Sequence, residues 1–313
     1  MSQASTSMPR GLTRAVLGGN AVLVLVFLYA PILLLTIYSF SAARNPGQWG
    51  GFTVDWYRDL ADDTRVQDAI WVSVRVAIVS TIVATVIGTM AALALERFTF
   101  RGRRLFDALL YLPIIIPDVT MAVMMLLFFT QAFDLLDAWF GVRIAKGFGT
   151  IVVSHVAFNI AFVSIVVRAR LAGMDSTLEQ AAGDLYATRW QAFRHVTLPL
   201  IAPGVAGGSL LALTLSLDDV VVTQFVAGPG STTLPVYVFS LIRRGVTPLI
   251  NAVSVVMLGA SLLLVVGSLL AQRASEGRRR HIPTTEGEEH HEQDHDPDRA
   301  VVGGAVVAGG SMR

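Results

Sequence analysis

Six apolar runs, each long enough to cross a bilayer as a helix, decide what this 313-residue chain can be. They fall at roughly residues 18 to 40, 70 to 95, 108 to 130, 150 to 168, 204 to 226 and 250 to 271. About 20 helical residues span a hydrocarbon core ~30 Å thick. In lipid the backbone must satisfy its own polar groups, so only helices or closed barrels cross. Barrel strands alternate apolar and polar residues in short stretches, whereas these runs are continuously apolar, so helices follow. With 53% of residues hydrophobic, 15% charged and a mean hydropathy of +0.60, the expected class is an all-α integral membrane protein with six transmembrane helices. The first run exceeds a signal-peptide core and no small-residue cleavage pattern follows it, so it reads as a retained helix. The absence of cysteine excludes disulfides, thiolate metal sites and cysteine nucleophiles.

Basic residues set the expected orientation. With the N-terminus inside, Arg10, Arg14, Arg97, Arg101, Arg103, Arg104, Arg168, Arg170, Arg189, Arg194, Arg273 and Arg278 to Arg280 are cytoplasmic. Fewer face outward: Arg44, Arg58, Arg65, Arg143, Lys146, Arg243 and Arg244. The positive-inside rule therefore puts both termini in the cytoplasm of a multi-pass plasma (inner) membrane protein. Residues 1–17 form a cytoplasmic N-terminus, 18–272 the membrane domain, and 273–313 a tail whose acidic, His-rich and Gly/Ala/Val composition predicts disorder. The cluster His290, His291, Asp294, His295 and Asp296 reads as solvated tail rather than as a metal site. Val301 to Ala308 is too short and glycine-rich to span.

Acids inside the runs are the candidate functional groups. Each Asp near a span centre costs about 2.5 to 3.5 kcal/mol, so Asp218 and Asp219 together oppose insertion by about 5 to 7. The strongly apolar residues from Leu210 to Val226 return only about 3 to 6 kcal/mol. The fifth span therefore needs a bundle or a water-filled cavity around these acids. On one continuous helix Asp219 shares a face with Ala212, Ser216 and Thr223, and Asp218 with Leu211, Thr214, Val222 and Phe225. Asp219, Ser216 and Thr223 are thus expected on a substrate pathway, and Asp218 in a more structural role. Asp118 follows Pro113 and Pro117, which loosen the third span, and is expected near mid-bilayer. Capping or interhelical pairing is its alternative use. Spaced carboxylates suit a flexible polycation. His155 reads as an interhelical hydrogen-bond donor, and Trp71, Tyr111 and Trp139 as interfacial anchors.

Between the fourth and fifth runs lies a polar loop, about residues 173–203, with helical character. Asp175-Ser176-Thr177 offers N-capping oxygens, Ala181 and Ala182 favour helix, and Thr188 can cap a second short helix bearing Phe193 and Val196 on one face. Pro199 and Pro203 set the entry into the fifth run. The stretch Glu179-Gln180-Ala181-Ala182-Gly183-Asp184-Leu185-Tyr186, followed by Val196 and Leu198-Pro199, resembles the EAA loop of ABC importer permeases. That pattern places its Glu at Gln180, with the acid Glu179 one residue early, and its Gly at Tyr186. Gly suits a left-handed backbone there, so either Gly183 takes over the turn or the bend differs. Glu179, Gln180, Ala181, Ala182, Asp184, Tyr186, Leu198 and Pro199 are the coupling positions this likeness implies.

The likeness extends through Leu213-Thr214-Leu215-Ser216-Leu217-Asp218-Asp219-Val220-Val221-Val222, Phe225, Gly228-Pro229, Leu234-Pro235 and Gly245-Val246-Thr247-Pro248-Leu249-Ile250-Asn251-Ala252. Upstream, Ile116-Pro117-Asp118-Val119-Thr120-Met121-Ala122 and Ser154-His155-Val156 also fit. Together these resemble the second permease subunit of the spermidine/putrescine ABC importers, over residues 12 to 272. The resemblance implies a type I, MetI-like permease and no enzyme. Its partners would be ABC ATPase subunits, a second permease forming a heterodimer, an extracytoplasmic substrate-binding protein and membrane lipid, with no nucleic acid. No Gly-x4-Gly-Lys-Ser/Thr phosphate loop occurs, so no cofactor is expected on this chain, and ATP with Mg belongs to the ATPase. Rival readings are an ABC permease for another cationic solute and a secondary cation-coupled transporter. The latter leaves the loop unexplained and lacks matched broken helices in inverted repeats. An intramembrane aspartyl protease lacks its Tyr-Asp and Gly-x-Gly-Asp contexts.

Overall fold

Proline and acidic residues, as much as hydropathy, decide where the helices stop. The computed structural model describes residues 10–279 except 46, 176, 245 and 246. In chain order the helices are α1 (Arg10–Tyr38), α2 (Asp55–Asp62), α3 (Thr64–Arg97), α4 (Arg103–Ile115), α5 (Asp118–Phe140), α6 (Phe148–Ala172), α7 (Thr177–Asp184) and α8 (Arg189–Ala192). A π-helical turn, Phe193–Thr197, leads into α9 (Leu198–Asp218), α10 (Val221–Val226), α11 (Leu234–Arg244) and α12 (Pro248–Arg279). Among the described residues, six segments are long and apolar enough to span: Arg14–Tyr38, Thr64–Arg97, Asp118–Phe140, Phe148–Ala172, Arg189–Asp218 and Pro248–Gly267.

Two expected spans are corrected. The third was placed at 108 to 130, but helix ends at Ile115 and restarts at Asp118. Pro117 offers no amide donor and forces Ile116 into an extended conformation (φ −73°, ψ 131°), so the spanning helix is α5, reaching Phe140. The fifth, expected as one helix over 204 to 226, begins earlier and breaks at Asp219, whose ψ of 125° is extended. The adjacent acids thus fall at a helix end instead of mid-helix, which removes the continuous face on which Asp219 and Asp218 were assigned.

The chain divides into two compact units, residues 1–272 and 273–313. Of the second, residues 273–279 are helical, past the boundary expected for a disordered tail. The rest of that tail, including the His290 cluster and Val301 to Ala308, lies outside the described residues, as do Ser176, Gly245 and Val246.

In the first unit α3, α6 and α9 form the packed centre around buried Ala92, Val163, Val167, Ile201 and Ala212. Glycines let the backbones close on Val163. A Cβ on Gly88 of α3 would sit 2.9 Å from the Val163 Cβ, and one on Gly208 of α9 would sit 3.3 Å from the Val163 Cα. Small residues at such crossings permit the dispersion contacts that associate helices in lipid. Gly88→Val is therefore expected to cost about 1 to 3 kcal/mol by overpacking. Thermal unfolding in detergent should show the loss, whereas Gly19→Val, with open space around it, should leave the midpoint unchanged.

A second cluster seats α10 against α3, α5 and α6 through buried Val76, Ala122, Phe129, Ile151, Val222 and Val226. Just beyond α10, Gly228 passes so near the Lys146 carbonyl that a Cβ would lie 1.7 Å from its oxygen. The Thr150 hydroxyl of α6 donates to the Val226 carbonyl at 2.7 Å. The short helix is thus fastened at its far end.

Candidate functional site

The break before α5 and the break after α9 open onto one cavity of about 410 Å³. Its wall includes Asp118, Asp218 and Asp219, and apolar side chains such as Phe158, Phe162 and Leu215. Asp118 and the sequence-distant pair Asp218 and Asp219 share a volume in the ordinary range for small-molecule sites. Apolar walls between acidic points suit a solute that alternates methylene stems with cationic heads.

The acids are held differently. Asp219 caps α10: Oδ2 accepts from the Thr223 amide and hydroxyl, both at 2.7 Å, and Oδ1 accepts weakly from the Val222 amide at 3.3 Å. Fully buried His155 brings Nε2 to 3.3 Å from Oδ2. Among the described residues, no other side chain hydrogen-bonds or ion-pairs with Asp118 or Asp218. Asp118 stands in the first turn of α5, where the helix dipole favours an anion. Asp218 closes α9, at the pole where a carboxylate is disfavoured and a cation is attracted. Contacts distinguish the two neighbours: both line the cavity, Asp219 braced by the fold and Asp218 held by no other side chain among the described residues.

Ser216 and Thr223 do not line the cavity, contrary to expectation. Both are buried against His155, whose Nδ1 lies 2.6 Å from the Ser216 hydroxyl and whose Nε2 lies 2.9 Å from that of Thr223. Ser216 in turn reaches Ser80 of α3 at 3.0 Å. Hydropathy gave no hint of this buried chain, because its members are scattered over four helices.

The loop after α6 folds as two short helices. Asp175 accepts from the Thr177 amide at 2.9 Å, and hydrogen bonds from Thr177 hold its carboxyl below the usual value. Thr188 and Gln191 form a reciprocal capping box on α8. The turn between them answers the glycine question. The Ala187 amide donates to Ala182 O at 3.0 Å and the Tyr186 amide to Gly183 O at 2.9 Å, the paired bonds of a Schellman C-cap. Tyr186 itself takes the left-handed position, with φ 60°; Gly183 stays inside α7.

Tyr186 is 95% exposed, so no packing repays that conformation, which costs about 1 to 2 kcal/mol in a non-glycine residue. Tyr186→Gly should slow hydrogen exchange in the last turn of α7 about fivefold; faster exchange would show the tyrosine to be favourable there.

Glu179 turns inward. Its carboxylate pairs with both terminal nitrogens of Arg97 at the end of α3 and accepts from the Thr197 hydroxyl at 2.5 Å. Gln180, Ala181 and Asp184 face outward, Ala182 is half-buried, and Leu198 and Pro199 start α9. The most exposed apolar tips are Leu185, Tyr186 and Trp190. A second clasp joins Arg168 of α6 to Asp107 of α4, with Glu96 of α3 at 3.7 Å. Neither clasp has a local sequence signal, since the partners lie far apart along the chain.

An acid-lined cavity at the C-terminal end of α9 and a bolted two-helix loop at its N-terminal end fit a membrane permease. Residues 84–281 match the family model described as binding-protein-dependent transport system inner membrane component. The chain is 41% identical over 258 residues to the putrescine transport system permease protein PotI of Escherichia coli strain K12, covering 82% of this chain and 90% of that one. It is 36% identical over 260 residues to the spermidine/putrescine transport system permease protein PotC of the same strain, covering 83% and 95%. A crystal structure of a bacterial ABC transporter that imports the acidic polysaccharide alginate shares the fold, with a TM-score of 0.69 at 20% identity over 87% of this chain and 96% of that one. The chain belongs to the family of binding-protein-dependent transport system inner membrane components, as a permease subunit.

Proposed function

We propose that this chain is the permease subunit of an ATP-driven importer that carries polyamines, spermidine or putrescine, across the plasma membrane. The carrying observation is the meeting of Asp118, Asp218 and Asp219 on one apolar-walled cavity at two helix breaks. Ammonium groups would pair with the acids in charge-assisted contacts while methylene stems lie along Phe158, Phe162 and Leu215. A similar fold occurs in an importer of an acidic polysaccharide, so the substrate reading rests on the lining side chains and not on the backbone. The similarity to putrescine and spermidine permeases supports the same reading.

On this reading both termini and the α7–α8 loop are cytoplasmic. The loop docks an ABC ATPase that holds ATP and Mg, and a second permease completes a heterodimeric pathway. A substrate-binding protein delivers the amine from the other side. Radiolabelled uptake in cells lacking their own polyamine importers, with this chain expressed beside its partner genes, tests the reading. ATP-dependent uptake of putrescine or spermidine, undiminished by excess neutral sugar, is expected. Uptake of another cation in place of both polyamines would move the substrate assignment, and uptake independent of ATP would favour a secondary transporter.

A further inference from the structure

We infer that His155 is the positioning residue for the cavity: one imidazole from α6 spans the break between α9 and α10 and fixes where Asp219 stands. This deepens the polyamine reading and rests on it for the identity of the solute. The ring is fully buried. Its Nδ1 meets Ser216, two residues before the end of α9, and its Nε2 meets Thr223 and Asp219, the cap of α10. No backbone helix joins those two groups, because Asp219 is extended. The imidazole is therefore a tie across the gap. Ser80 extends the tie to α3, and Thr150 holds the other end of α10 to the same helix that carries His155.

Donor bookkeeping assigns the ring. Thr223 gives its single hydroxyl proton to Asp219 Oδ2, so its oxygen must accept, and Nε2 carries the hydrogen. Nδ1 faces the Ser216 hydroxyl. Because the imidazole and Thr223 both act on Oδ2, Oδ1 is the carboxylate oxygen left with only one long contact, that of the Val222 amide. Asp219 thus meets the solute through Oδ1, at a spacing from Asp218 and Asp118 that His155 sets. Without the ring the carboxylate keeps its contacts to Thr223 and Val222 but loses its fixed aim.

The test is uptake by the assembled importer. A glutamine amide nitrogen reaches about as far as Nε2, whereas asparagine reaches only as far as Nδ1. His155→Asn should raise the KM for putrescine about tenfold, the scale of one hydrogen bond to a charged group, with maximal rate and membrane abundance within about twofold. His155→Gln should restore KM to near the wild-type value. In an Asp219→Asn background, His155→Asn should change KM no further, since the histidine acts through that acid. An unchanged KM in His155→Asn, or equal effects in both backgrounds, would overturn the inference.

If His155→Asn fails to accumulate, the glutamine variant and the 15N signal of His155 in labelled wild-type importer decide. That signal should report a hydrogen on Nε2 and shift on Asp219→Asn but not on Asp118→Asn; an unmoved signal refutes the tie. Failure of the substrate reading shows separately, as wild-type importer that takes up neither polyamine, and leaves the imidazole signal to be read on its own.

Discussion

Replacing Asp118 and Asp218 together by asparagine should lower polyamine uptake at least about a hundredfold while the chain still reaches the membrane in near-normal amount. A hydrogen bond to a charged group contributes about 1.5 to 3 kcal/mol, and each 1.4 kcal/mol is a factor of about ten. Each single substitution should therefore cost about tenfold or more. Neither acid has a side-chain partner among the described residues, so the fold has little to lose. Asp118→Asn forfeits only a favourable helix-dipole term of about 0.3 to 1 kcal/mol, and Asp218→Asn removes an unfavourable one of similar size. Asp219→Asn is a different experiment. It disturbs the cap of α10 and the contact with His155, so abundance and uptake should fall together. Uptake unaffected by the double substitution would remove the cavity from the pathway.

Glu179→Ala should leave ATP hydrolysis by the assembled importer running while uptake falls about tenfold or more. Glu179 is the point where the loop is bolted to the membrane domain: one carboxylate joins α7, the end of α3 through Arg97, and the π-helical turn through Thr197. On the proposed reading, motion delivered to the loop would reach α3 through this pair and α9 through the turn. Loss of the carboxylate leaves a partly buried guanidinium without its partner, which in a bidentate geometry is a large local change. The reversed pair, Arg97→Glu with Glu179→Arg, should recover part of the uptake that either single reversal loses. Measuring hydrolysis and uptake side by side separates this from loss of docking, in which hydrolysis stimulated by the binding protein would vanish as well. Uptake that tracks hydrolysis in every variant would contradict a transmitting role for the pair.

The fold was legible where one physical effect dominates. Hydropathy gave the number of spanning segments, six among the described residues, and Thr188 announced the second loop helix, because apolar run length and capping are local properties. The breaks were half legible. Pro117 was visible, but its outcome, a new helix beginning at Asp118, depends on packing of α5 against α10. The insertion cost at Asp218 and Asp219 signalled a conflict; that the chain resolves it by ending α9 and capping α10 with Asp219 was not readable. A continuous helix was assumed, and the facial assignment failed with it. The ties His155–Ser216, Arg97–Glu179 and Arg168–Asp107 join residues 61, 82 and 61 positions apart. Such pairings follow from the arrangement of helices, which no local pattern carries. Tyr186 was legible as an oddity, and the hydrogen bonds of the turn identify it as the left-handed residue itself.

Because the chain has no cysteine, one introduced thiol can report on the cavity without background from this subunit. Leu215→Cys lies on the cavity wall and leaves all three acids in place. In the assembled importer this thiol should react with a small cationic methanethiosulfonate, and spermidine or putrescine should slow the reaction while a neutral sugar does not. A thiol that never reacts, or one that reacts at the same rate with saturating polyamine present, would contradict a polycation path through this cavity.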